Sequence, residues 1–180
     1  MKKTALLLLL FFGYFQANAQ KFSTKTGNLK FEASVASFEE VAAENKNTSA
    51  VLETSTGDIA VLALMKGFRF KVALMEEHFN ENYVESDKFP KATFKGKIED
   101  FDTTKLSSAV KTFKISGDLT LHGKTKKITT TAKISKSGDK ISVIGNFDVK
   151  PEDFAIEIPK IVSKKVADVI QVTFNLSLSK

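Results

Sequence analysis

The chain has 180 residues, enough for one domain with a substantial core. It holds 27 Lys and Arg against 21 Asp and Glu, a formal charge of +6, and no Cys. The missing cysteines exclude disulfides, thiolate metal sites, cysteine nucleophiles and redox dithiols. Arg69 is the only arginine, so the positive charge is lysine charge. Nucleic-acid readers favour Arg for bidentate contacts, and these lysines alternate with apolar residues along strands. That pattern describes the solvent face of a sheet and argues against a nucleic-acid partner. It is compatible with weak attraction to an anionic membrane surface.

The N-terminus reads as an export signal. Lys2 and Lys3 form a basic start, residues 5–15 are apolar, and Ala17-Asn18-Ala19 is a small-x-small cleavage site. Cleavage near Ala19 leaves a mature domain over 20–180 with a charge of about +4, in the periplasm or the medium. The apolar run is shorter than a bilayer span prefers. No Cys near the cleavage site is available for the usual bacterial lipid anchor.

From Phe22 onward the pattern is mostly β. Leu29, Phe31, Ala33 and Val35 alternate after an expected turn at Gly27-Asn28. Phe38 to Asn45 reads as one or two helical turns, and Thr48 to Glu53 as a strand. Ser55 to Asp58 is a turn. Ile59 to Met65 is apolar on both faces, which fits a strand buried on both sides or packed under a helix. After Gly67, the residues Phe68, Phe70, Val72 and Leu74 alternate into the next element.

The segment 73–96 is the most distinctive. Leu74, His78, Phe79, Asn82 and Tyr83 share one face of a short helix. Past Pro90 the period changes. Ala92, Phe94 and Ile98 alternate with Lys91, Thr93, Lys95 and Lys97, a strand with one apolar and one charged face.

Residues 100–110 are a polar loop. Phe113, Ile115, Leu119 and Leu121 then share a face through Gly117, and His122-Gly123 turns the chain into Ile128, Thr130, Ala132 and Ile134. Ser137 to Asp139 turns it again into Ile141, Val143, Gly145, Phe147 and Val149. Pro151 to Phe154 is a one-turn plug with Pro at its first position. Val172, Phe174, Leu176 and Leu178 make the last strand.

About eight sequential strands with one inserted helix predict an all-β, eight-stranded antiparallel barrel, with a short helix closing one side. A sandwich is the competing architecture. Glycines 96, 117 and 145 fall mid-strand, where a closing sheet bends sharply. Such a barrel is wide enough to hold one small ligand. The 16 Phe, with two Tyr and no Trp, fit either a greasy core or a ring-lined cavity.

Motifs for hydrolases, P-loops, dinucleotide folds and zinc helices are missing, so no catalytic residue is assigned and the chain is not expected to be an enzyme. A metal site would need His78 and His122 to converge with an acid such as Asp118. No metal or cofactor is expected. The simpler reading makes His78 a buried helix residue and His122 a turn residue bonded to backbone.

Three stretches resemble a known family. They are residues 78–83 (HFNENY) followed by 88–94 (KFPKATF), then 117–126 (GDLTLHGKTK), then Phe147 to Ile156 with Asp153-Phe154. Together they resemble the YceI-like proteins, the periplasmic polyisoprenoid-binding family, from Phe22 to the C-terminus. Departures exist. The chain is one residue short between His78 and Pro90, Phe79 stands for the usual Leu, and Ala155 for the usual Gly. The first third matches poorly, as in a shorter variant.

The resemblance implies a lipocalin-like barrel whose apolar pore takes an isoprenoid or other lipid, and it is compatible with a homodimer. Strand parity puts Phe70, Phe94, Phe113, Leu119, Leu121, Phe147 and Phe174 on the inner face as candidate ligand-lining residues. His78, Phe79 and Tyr83 form the expected helical gate, and His122 a barrel end where a head group would be met. Alternatives are a filled barrel acting as a structural or envelope-stress interaction protein, and a histidine-based metal or haem protein.

Overall fold

The computed structural model describes residues 20–180; the expected export signal, 1–19, lies outside the described residues. Its strands are β1 (Lys21–Ser34), β2 (Ala42–Glu53), β3 (Asp58–Leu64), β4 (Arg69–Phe70), β5 (Lys91–Ile98), β6 (Lys111–Leu121), β7 (Lys124–Ser137), β8 (Lys140–Val149) and β9 (Val166–Ser179). Eight of them follow the order β1-β9-β8-β7-β6-β5-β3-β2, and β2 pairs back to β1. The expected eight-stranded antiparallel barrel is closed. Closure leaves no free edge, which suits long strands with apolar faces. The two-residue β4 lies against the start of β2, with Phe70 opposite Ala43.

Alternation explains the pairing. In β5, Ala92, Phe94, Gly96 and Ile98 point inward and Lys91, Lys95 and Lys97 outward to solvent. Membrane-spanning barrels are apolar outside and polar within; here the polarity is reversed. The β6–β7 turn is His122-Gly123, with φ of 49° and 70°. Two left-handed residues in a row give the tight hairpin that matches strand twist.

Four local expectations are corrected. Phe38 to Asn45 does not form a helix. Its second half opens β2, which pairs Ala42 with Glu32 and Ala43 with Phe31. Asn45 is buried there, donating from Nδ2 to the Leu64 carbonyl at 2.9 Å and accepting the Asn47 N–H at 2.9 Å. Tertiary pairing overrides the weak helical propensity. Gly27-Asn28 is not a turn but a β-bulge within β1, where the register shifts. A Cβ on Gly27 would stand 2.7 Å from Leu176. β3 is not covered on both sides; Leu64 is 56 % exposed. The helix α1 (Ala73–His78) is only six residues and runs into a π-turn, Phe79–Tyr83, so its intended single face is split.

The barrel interior has two unlike halves. At one end Phe22, Leu52, Ile98, Ile134, Ile141 and Leu178 pack into a fully buried core. The loop after β5 covers that end with Phe101 and Leu106. At the other end β1 and β8 finish and β2 and β9 begin. The second apolar cluster lies there, with Phe31, Phe68, Val84, Phe154 and Ile156.

The one-turn helix Pro151–Phe154 roofs this second end and has Pro at its start, as expected. Its last turn is closed by Ala155 in the left-handed region, φ 54° and ψ 35°. A Cβ there costs about 1 kcal/mol relative to glycine. Ala155→Gly is therefore expected to stabilise the fold by about 1 kcal/mol in urea unfolding; no gain would mean that the turn is unstrained.

Candidate functional site

The second half of the barrel encloses a cavity of about 500 Å³. Its walls come from every side of the barrel end. β1 supplies Leu29, Phe31 and Ala33; β6 supplies Leu119 and Leu121; β8 and β9 supply Phe147, Val149, Ile170 and Val172. The gate supplies Phe70, Val72, Met75, Phe79, Tyr83 and Val84, and the roof supplies Phe154, Ile156 and Ile158. Among all lining residues only Glu39, His78, Tyr83, Lys150 and Lys165 have polar side chains. Four of these five are exposed, so they mark the mouth, while Tyr83 is half-buried.

Aromatic packing builds the gate. Phe79, on the π-turn, lies 5.4 Å from Phe31 in a stacked pair and 5.2 Å from Phe70. Phe68 stands 5.6 Å from Phe31 and 5.9 Å from Phe79. Such pairs add about 0.5–1.5 kcal/mol each beyond their burial. The loop before the helix is tied by Glu76, which accepts from Arg69 at 2.8 Å and from the Phe70 N–H at 3.1 Å. Lys71 pairs with Glu40 across the same end.

A polar tie fixes the gate to the roof. His122 Nδ1 donates to the Phe154 carbonyl at 2.9 Å, and Nε2 lies 2.8 Å from Glu85 Oε2. Both ring nitrogens face oxygen partners, one on the roof and one beside the gate. The Phe89 ring meets the imidazole edge-on at 4.5 Å. The hydrogen bond from His122, then the nearby Lys88, holds the Glu85 carboxyl below its ordinary pKa.

Of the two histidines, only His78 lies on the cavity lining; His122, expected where a head group would be met, does not. His78 is exposed at the cavity mouth and not buried in the helix. His122 is the residue that fastens the closure, and its bond to backbone was the expected one. Among the described residues no group of three His, Asp or Glu converges as a metal site would require.

Of the ten residues singled out on the sequence, seven lie on the cavity wall: Phe70, His78, Phe79, Tyr83, Leu119, Leu121 and Phe147. The structure does not bring Phe94, Phe113 and Phe174 to that wall. They face inward, but Phe113 and Phe174 pack in the filled half and Phe94 lies between the two halves. Strand parity reports which side of a sheet a residue faces and carries nothing about height along the barrel. Sequence reasoning missed Phe31, Phe68 and Phe154. The alternation of Leu29, Phe31 and Ala33 marked Phe31 as inward, but only the β1–β2 register sets it at the cavity.

A depressed carboxylate stabilises the fold fully above its unfolded pKa and loses that contribution as pH falls through the folded value. Glu85→Gln should therefore lower the melting temperature at neutral pH. The gap to the wild type should close as the pH drops below the ordinary carboxylate range. A gap that does not vary with pH would contradict a charged tie.

The same architecture occurs in solved structures. A polyisoprenoid-binding domain from Saccharophagus degradans, implicated in plant cell wall breakdown, superposes with a TM-score of 0.76 at 17% identity, over 88% of this chain and 97% of its own. BcnA of Burkholderia cenocepacia gives 0.70 at 16% identity, covering 86% and 96%. The Campylobacter jejuni YceI protein gives 0.58 at 19% identity, covering 100% and 99%. At these identities the likeness concerns the fold. No curated protein matches the chain. The YceI-like domain model matches residues 14–178, almost the whole sequence, and the chain belongs to the YceI-like family.

Proposed function

We propose that this protein is an exported carrier that holds a long apolar ligand, an isoprenoid or another lipid, in the hollow half of its barrel. One observation carries the reading: a cavity of about 500 Å³ whose lining is almost entirely apolar, with exposed polar groups at its mouth. Ligand sites of soluble proteins have volumes of about 300–1,000 Å³ and apolar walls. Each methylene moved from water into such a wall contributes about 0.8 kcal/mol. Ten of them give roughly 8 kcal/mol before ordering costs, so binding needs no specific polar contact. The description of the Saccharophagus domain as polyisoprenoid-binding supports the same reading. The reading assigns no bond-breaking step and no catalytic residue. A filled barrel is disfavoured because only one half is packed.

Residues 20–180, which contain every strand of the barrel, are the form to test. Organic extraction of the purified protein followed by mass spectrometry should release about one lipid per barrel. Delipidated protein should then enhance the fluorescence of N-phenyl-1-naphthylamine. A barrel that emerges empty and takes up no such probe would contradict the proposal. Export predicts that the mature protein begins at Gln20.

A weak membrane contact belongs to the same proposal. Segment 159–165 adjoins the mouth, since Val162 and Lys165 line the cavity. It exposes Lys160, Lys164 and Lys165 beside Ile161, which is 87 % exposed. None of these lysines has an acidic partner within 4 Å among the described residues. Near an anionic surface each lysine contributes about 1 kcal/mol. Replacing all three with Glu should weaken sedimentation with phosphatidylglycerol vesicles by about 100-fold. Equal binding of both proteins would remove this segment from the account.

A further inference from the structure

The cavity stops partway down the barrel, and the stop is built from identifiable residues. Gly96 and Gly117 are cross-strand partners on β5 and β6. The Phe94 ring covers both; a Cβ on either would stand 2.5 or 2.7 Å from its Cζ. Gly145 on β8 pairs with Phe174 on β9, and a Cβ there would stand 2.5 Å from the Phe174 Cζ. Both rings therefore lie against the inner wall over the glycines, occupying the space that side chains there would fill. Phe147 packs against Phe174, 6.3 Å between centroids, and faces the cavity from above. Below this layer Ile98, Ile134, Ile141 and Leu176 are almost completely buried, so a chain has nowhere further to go.

We infer that Phe94 and Phe174 form a floor that limits the cargo to an apolar chain of about 20 carbons, inserted tip-first from the mouth. The inference rests on the lipid-carrier reading and narrows its ligand class. An apolar cavity of about 150 Å³ takes one benzene, a six-carbon ring. A cavity of about 500 Å³ takes roughly three such groups, hence about 20 carbons. A chain twice that length leaves its second half in water, where it adds no burial. The polar end of the cargo then sits at the rim, among Glu39, His78, Lys150 and Lys165.

Prenyl alcohols of 10, 15, 20 and 45 carbons share one head group and test the limit. Each is titrated against N-phenyl-1-naphthylamine bound to delipidated protein. Displacement should strengthen at least about tenfold per five-carbon unit up to 20 carbons, then level off. Two variants move the floor in opposite directions. Phe174→Leu thins it and should shift the plateau to longer chains. Ala92→Leu, which fills the cavity one inward position above Phe94, should bring the 20-carbon alcohol down to the affinity of the 15-carbon one. It should leave the 10-carbon alcohol unchanged. Tighter binding of the 45-carbon alcohol than of the 20-carbon one would overturn the inference, as would two folded variants with the wild-type length profile. If the probe binds and no alcohol of any length displaces it, the lipid reading fails first, and the floor loses its meaning with it.

Discussion

The structure depends on two phenylalanine rings laid over glycines. Phe94 covers the Gly96–Gly117 pair and Phe174 covers Gly145. A glycine in a strand has no side chain to pack and weakens it. A neighbouring ring that lies over the bare backbone restores the packing and pins the register. Here it does a third thing. The rings lie where the packed half of the barrel meets the open half. Phe94 contacts both clusters, and so do Leu29 and Phe147. This layer is the boundary between stability and binding.

The division of labour has a physical basis. A barrel hollow throughout would give up much of the burial that must offset chain entropy. The packed half, built on Phe22, Leu52, Ile134, Ile141 and Leu178, supplies that burial without disulfides. The open half is walled by strands but closed at its mouth by elements that are not barrel strands. Its gate is a six-residue helix with a π-turn, held by four phenylalanines, and its roof is the turn at Pro151–Phe154. Short elements with few backbone bonds open more readily than strands. His122 joins gate to roof through Glu85 and the Phe154 carbonyl, a polar latch beside the apolar packing of the closure.

Much of this was legible in the sequence because period-2 alternation is a strong signal. Lys91 to Ile98, Phe113 to Leu121 and Val172 to Leu178 all face the way their patterns require. The His122-Gly123 and Pro151 turns were legible for the same local reason. What failed was non-local. Residues 38–45 have a helical composition, yet 42–45 join β2 because β1 offers a partner. Gly27 looks like a turn residue and is a bulge because Leu176 approaches it closely. Phe94, Phe113 and Phe174 read as cavity residues like Phe147, since height along the barrel is set by register and shear. His78, read as a buried helix residue, stands exposed at the mouth, and the turn histidine fastens the gate.

The central claim is that the barrel is hollow on the gate side of the Phe94–Phe174 layer and solid beyond it. A crystal of residues 20–180 soaked with 1-bromododecane tests this directly, because bromine gives an anomalous signal that fixes its place. The account predicts a bromine peak in the chamber between Phe154 and the two rings, with the alkyl chain lying along the same wall. Bromine beyond Phe174, among Ile134, Ile141 and Leu178, or found only outside the barrel, would contradict it.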